Sequence, residues 1–157
     1  MCKYRVIKVT LQAMGTGYTG NLLLIPANAG QREVTVLIDT GSSHTFLNSI
    51  RAEELNCRTE TIARMRVKVA SGHTLLSNSV CKGFSWKMQG HEFDFNVRTL
   101  DLPAHDLVLG WDWLETVSPF QVDLKKRQLA FEWKGRTLTL QRLTKDGQCK
   151  VISGRHF

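Results

Sequence analysis

Cysteine is sparse and scattered in this chain of 157 residues: Cys2, Cys57, Cys81 and Cys149 include no C-x-x-C pair and no neighbouring histidine cluster. That excludes a recognisable zinc site or dithiol redox motif, and the expectation is four free thiols. No apolar run reaches the roughly 18 residues of a membrane span, residues 1–5 lack the apolar core of a signal peptide, and no Asn-x-Ser/Thr acceptor occurs. The expectation is an intracellular, reducing compartment with no membrane partner. With 42% hydrophobic and 22% charged residues, disordered, collagen-like and coiled-coil classes also drop out. What remains is one folded domain, within the usual range of roughly 100 to 200 residues.

Charge is present in excess of one sign. Lys plus Arg number 21 against 14 Asp plus Glu, a net +7 that by itself nominates a polyanion partner. Its location weakens that reading. Residues 1–124 hold 12 basic and 12 acidic side chains, so the whole excess falls in residues 125–157, in Lys125, Lys126, Arg127, Lys134, Arg136, Arg142, Lys145, Lys150 and Arg155 against Glu132 and Asp146.

Short alternating apolar segments separated by Gly, Asn, Pro or Ser mark an all-β domain. Strands are expected over 4–12, 21–26 and 33–38, then over 65–70 and 74–79 around Ser71-Gly72-His73, and over 84–88 and 93–97 around Gln89-Gly90. A two-turn helix is expected over 48–55, with Asn48 or Ser49 as its cap. Leu107-Val108-Leu109-Gly110 reads as a strand buried on both faces, followed by a short helix over 111–116 that Pro119 closes. Alternation resumes from Phe120 around a Lys125-Lys126-Arg127 turn, and a last strand is expected over 137–141.

Two segments invite a chemical reading. Gly15-Thr16-Gly17-Tyr18-Thr19-Gly20 matches a dinucleotide-binding fingerprint, with Asp39 at a suitable distance for a ribose contact. The context fails, because that site needs a helix opening at the third Gly, whereas the next residues are short, apolar and closed by Pro26. In the second, Val36-Leu37-Ile38-Asp39-Thr40-Gly41-Ser42-Ser43, an apolar strand delivers a carboxylate into a turn of small residues. Either Asp39 closes an ordinary Asx turn or its oxygens are used chemically. The motif alone favours the turn. The Gly-tipped hairpin and the buried run at 107–110 that follow it shift the balance.

In this order the three elements resemble the retropepsin-like aspartic proteases, and in particular the protease segment of gypsy-type LTR retrotransposon polyproteins of the plant type. The resemblance rests on residues 37–46, Val69-Ala70-Ser71-Gly72, Gln89-Gly90, Phe93, residues 106–114, Val122-Asp123 and Leu129-Ala130-Phe131. It covers residues 20–141, leaving 1–19 as an N-terminal segment and 142–157 as a basic tail or linker.

The resemblance implies a small closed β-domain that is half of an aspartic endopeptidase. Asp39 would be catalytic, paired with Asp39 of a second copy, because no other Asp is followed by Thr-Gly or Ser-Gly. Thr40 would cross-link the two catalytic loops, Gly41 would place an amide near the carboxylates, and Ser42 stands where retroviral enzymes often have Ala, as it does in pepsin-like ones. Ser71, Gly72 and His73 would form the tip of a flap closing over an extended peptide. Pocket walls near Leu37, Val69, Leu75 and Leu107 would favour apolar residues at the cleavage point, and the substrate would be the polyprotein carrying the protease. The resemblance implies no cofactor or metal.

The residues themselves point to lesser roles elsewhere. His44 is expected to pack or hydrogen-bond near the loop, Trp111 and Trp113 to lie in the core or an interface, and Asp106 and Asp112 to make structural hydrogen bonds. Two other readings stand beside the protease: a non-catalytic dimerisation or nucleic-acid-associated module, touching nucleic acid at most weakly through the basic tail, and the protease domain of a ubiquitin-shuttle protein, which the segment 111–131 matches less well.

Overall fold

A computed structural model describes residues 6–9, 21–69 and 71–142. The Gly-rich segment at 15–20 and the tail beyond Arg142 lie outside the described residues. β1 (Val6–Val9), within the stretch expected as a separate N-terminal segment, runs parallel to β5 (Thr59–Val69) and extends the main sheet. The first hairpin joins β2 (Asn21–Ala29) to β3 (Arg32–Asp39). β4 (Phe46–Asn48) then leads into α1 (Ser49–Glu54). Asn48 is the cap, its Oδ1 accepting from the amides of Ile50 at 2.8 Å and Arg51 at 3.3 Å.

β6 (Thr74–Met88) departs from expectation, since one strand spans both segments forecast as separate. A bulge between Cys81 and Phe84 carries it through, with Gly83 at a φ of +65° that suits glycine, and this bend lets β6 pair with β5 first and β7 (His91–Leu100) afterwards. The main sheet runs β1-β5-β6-β2-β3-β8-β4-β7, with β8 at Leu107–Leu109. Because β6 also pairs with β7, the strands from β6 round to β7 close into a barrel. α2 (Trp111–Val117) follows β8, and β9 (Phe120–Asp123), β10 (Gln128–Trp133) and β11 (Arg136–Gln141) form a separate three-stranded meander.

β8 explains why the run at 107–109 is apolar without alternation. It lies between β3, to which it is parallel, and β4, to which it is antiparallel. Leu107 and Leu109 join the large core with Val36, Ile38 and Leu47. Val108 faces the other way, into a second cluster with Leu37, Phe46, Met65, Val67 and Val69. All three β8 side chains are fully buried. The meander is part of the same body: Leu129, Phe131, Leu138 and Leu140 bury into the large core, and Gln89 at the β6–β7 turn donates to Thr139 O and accepts from the Gln141 amide. Burial of these four side chains, at about 1.5–3 kcal/mol each, holds the meander to the barrel.

No helix among the described residues is long and apolar enough to cross a membrane. Lys125, Lys126, Lys134, Arg136 and Arg142 are exposed on the meander and its turns.

Candidate active site

Asp39 is the last residue of β3, and its side chain is fully buried. Its Oδ1 accepts the Gly41 amide at 2.8 Å, and the Ser42 amide donates to the Asp39 carbonyl at 3.2 Å, so the chain turns tightly around the carboxylate. Asp39 therefore makes the Asx turn, and its second oxygen, Oδ2, is buried without a hydrogen-bond partner among the described residues. An unpartnered buried carboxylate oxygen is costly unless the group takes a proton. Burial pushes the Asp39 pKa up to about 7, opposed by the Gly41 hydrogen bond. A carboxyl group balanced near neutrality can give or take a proton at low cost.

The loop is tied to the β8–α2 junction by several independent bonds. Thr45 Oγ1 donates to Asp112 Oδ1 at 2.6 Å and receives the Gly110 amide at 3.1 Å. The Trp111 amide donates to Ser42 O at 2.8 Å, and its indole Nε1–H to Thr40 O at 2.6 Å. Buried Ser42 directs its hydroxyl to His44 O at 2.6 Å, so the extra oxygen relative to Ala is satisfied internally. Gly110 fits because it has no side chain: a Cβ there would lie 2.3 Å from His44 O and 2.6 Å from Ser42 O. Asp106, just before β8, accepts from the Thr35 amide at 2.8 Å and from Arg51 Nε at 2.9 Å. Asp106 and Asp112 are thus structural hydrogen-bonding residues, as expected.

Across the β5–β6 hairpin, the Val69 amide donates to His73 O and the Gly72 amide to Val69 O, closing a tip with Gly72 at a φ of +94°. Ser71, Gly72 and His73 are exposed. The strand ends next to the tip pack over the second cluster, which holds Val69, Leu75 and Leu37. The fourth expected wall residue, Leu107, is not there. It faces the large core on the opposite side of β8, and Val108 takes its place because the parallel register sets Val108 beside Leu37. Alternation along an all-apolar strand gives no sign of which face is which, so only the pairing reveals it.

Trp113 is a core residue, but Trp111 is not, being 56% exposed. His44 lies half-buried beside Ser43, its Nδ1 3.0 Å from Ser43 Oγ. No group of three or more His, Cys, Asp or Glu side chains suited to a metal ion occurs among the described residues.

The raised Asp39 pKa has a consequence for stability. An unfolded Asp releases its proton near 3.9, whereas the folded one holds it to about 7, so the folded state binds more protons in between. Asp39 therefore stabilises most below about pH 4, and that contribution declines as pH rises to about 7, by on the order of 4 kcal/mol. Urea unfolding of the wild type and of Asp39→Asn across this interval measures it. Buried His105, whose pKa is pushed down, acts in the opposite sense in both proteins, so the difference between the two curves isolates Asp39. Parallel curves would show that Asp39 titrates normally.

Comparison with known proteins gives the family and the fold. No curated protein sequence matches the chain. Among solved structures, the retroviral protease-like domain of Ddi1 from Leishmania major is 18% identical, with a TM-score of 0.56 over 84% of this chain and 100% of that one. The EIAV protease complexed with the inhibitor HBY-793 is also 18% identical, with a TM-score of 0.44 over 59% of this chain and 85% of that one. The family model described as retroviral aspartyl protease matches residues 5–136, a span containing the barrel, the Asp39 loop and the Gly-tipped hairpin. With a mostly β, retropepsin-like fold and a matching family model over most of its length, the chain belongs to the retroviral aspartyl protease family.

Proposed function

We propose that this chain is one half of an aspartic endopeptidase, active as a homodimer in which two Asp39 carboxylates meet. The observation that carries this reading is the buried Asp39 with one oxygen unpartnered, held in a loop clamped by Gly110, Trp111 and Asp112. A single such carboxyl supplies one proton function, and peptide hydrolysis through water needs two. Two close carboxylates share one proton, the situation for which aspartic proteases are the standard example. The ionised Asp39 takes a proton from a water held between the pair, and its protonated mate donates a hydrogen bond to the scissile carbonyl. Attack of the water oxygen on the carbonyl carbon, with transfer of the mate's proton to the carbonyl oxygen, gives a neutral tetrahedral diol. The Asp39 that took the water proton passes it to the nitrogen while the other carboxylate recovers a proton from a diol hydroxyl; the C–N bond breaks, the amine and the acid leave, and the pair is again singly protonated.

Thr40 joins the two loops across the dimer axis in this arrangement. Ser71, Gly72 and His73 close over an extended peptide, which adds as a strand between flap and floor, with Leu37, Val69, Leu75 and Val108 behind the apolar subsites. The β9–β11 meander is packed on its own barrel, so contact between copies centres on the Asp39 loops. The retroelement resemblance of residues 37–46 and 106–114 supports a polyprotein substrate cut at its domain junctions, within an intracellular particle.

Sedimentation with and without a peptide bearing a hydroxyl isostere of the tetrahedral diol, paired with cleavage of a fluorogenic peptide with apolar residues at the scissile bond, tests the proposal. The expected result is isostere-promoted dimerisation and cleavage that fades once both carboxylates ionise. A chain that stays monomeric with the isostere and leaves the peptide and the polyprotein uncut from about pH 4 to 8 overturns it.

A further inference from the structure

Trp111 is exposed over 56% of its surface although it adjoins a fully buried carboxyl group. An indole that far out gains little from burial, and both N–H groups of Trp111 donate to the Asp39 loop. The backbone amide bonds Ser42 O at 2.8 Å, and the indole Nε1–H bonds Thr40 O at 2.6 Å. The second bond matters most, because Thr40 C=O and Gly41 N–H belong to one planar peptide group. The other end of that group donates to Asp39 Oδ1 at 2.8 Å. The indole N–H, the Thr40–Gly41 peptide and the Asp39 carboxylate thus form a continuous donor-to-acceptor chain. Hydrogen bonds in series polarise one another, by about 10–30% per bond. A donor on the carbonyl makes the Gly41 N–H a stronger donor and fixes the tilt of its plane.

We propose that Trp111 is a positioning residue for Asp39, orienting and polarising the Gly41 amide through the intervening peptide group. The inference rests on Asp39 being the catalytic carboxylate. Indole is a donor only, so the bond has one polarity and favours the ionised carboxylate at the far end. The Gly41 bond already opposes the effect of burial on Asp39. The other titratable groups on the elements packed against the loop are His44, beside Ser43, Asp112, bonded to Thr45, and Glu115, exposed on α2.

The test uses the full chain in three forms: wild type, Trp111→Phe, which keeps an aromatic ring without the donor, and Asp39→Asn. Loss of one hydrogen bond to a polarised amide is expected to lower kcat about three- to tenfold with little change in KM. It should also move both limbs of the pH–rate profile to higher pH by up to about one unit, because the ionised form loses support. A purely structural role lowers activity and leaves the limbs in place, and that result overturns the proposal. Nuclear magnetic resonance of the wild type and Asp39→Asn needs neither activity nor a folded Trp111 variant. The Trp111 indole proton should exchange slowly despite its exposed ring, and its shift should follow Asp39 ionisation and stop doing so in Asp39→Asn. An indole proton that exchanges freely and ignores Asp39 overturns the proposal as well. If the wild type cleaves nothing, the catalytic reading fails by itself, and the indole titration still decides whether Trp111 is coupled to Asp39.

Discussion

Asp39→Asn is expected to abolish peptide cleavage while leaving the barrel folded. An amide is neither a general base nor a general acid at neutral pH, and in a homodimer the substitution removes both members of the pair. General acid–base catalysis contributes about 10²–10⁴-fold, and both proton roles are lost together, so kcat should fall at least about a thousandfold. Folding should survive because Asn has the same shape and its oxygen can still accept the Gly41 amide. Its NH₂ would occupy the position of Oδ2, which has no partner among the described residues. A buried unsatisfied donor costs about 1–3 kcal/mol, offset by removing a carboxyl that burial has pushed to about 7. Near-wild-type stability with no turnover in a fluorogenic assay is the expected pair of results. Residual cleavage above background would mean that another group does the chemistry.

Gly110→Ala is expected to have the largest effect on stability. The backbone at Gly110, with φ −106° and ψ −162°, is extended and open to any residue, so conformation is not the obstacle. Space is. The new methyl would lie 2.3 Å from His44 O and 2.6 Å from Ser42 O, both main-chain atoms that can yield only if the Asp39 loop moves. Moving it stretches the Gly110 amide bond to Thr45 Oγ1 and the Trp111 amide bond to Ser42 O. Overpacking together with weakened buried hydrogen bonds sums to about 3 kcal/mol or more. Denaturant unfolding measures this, with cleavage lost even in the fraction that folds. Gly72→Ala is the contrasting case. Its φ of +94° strains an alanine, but no atom of the described residues lies within 4 Å of the added carbon, so the cost should stay at about 1–2 kcal/mol. Equal losses at the two positions would refute the steric account of Gly110.

Much of the fold was legible because it follows from local patterning. The uninterrupted run at 107–109 signalled a strand covered on both faces, and it lies between β3 and β4 with clusters on either side. The Gly-tipped hairpins at 72 and 90 were readable from residue type alone, as was a helix cap at Asn48 or Ser49, of which the structure uses Asn48. β4 was not. Three residues carry no period, and β4 exists because β7 and β8 supply partners about 50 and 60 positions away. The continuity of β6 was hidden for a different reason: Gly83 looks like a break in the sequence and serves as a bulge in the sheet.

The same division runs through the site. Residue order located the Asp39-Thr40-Gly41 loop, the Gly72 hairpin and the buried run at 107–110, each a short contiguous motif, and the family resemblance of the ordered set supplied the chemical reading of the loop. Residue order also located the net +7 in residues 125–157, outside the sequence segment that holds that loop. The tertiary structure decided how deeply Asp39 is buried, which face of β8 meets Leu37, why residue 110 must lack a side chain, and that an exposed Trp111 holds the Thr40 carbonyl. These properties join residues some 70 positions apart. Closing the barrel brings such residues into contact, and no local pattern encodes the distance between them.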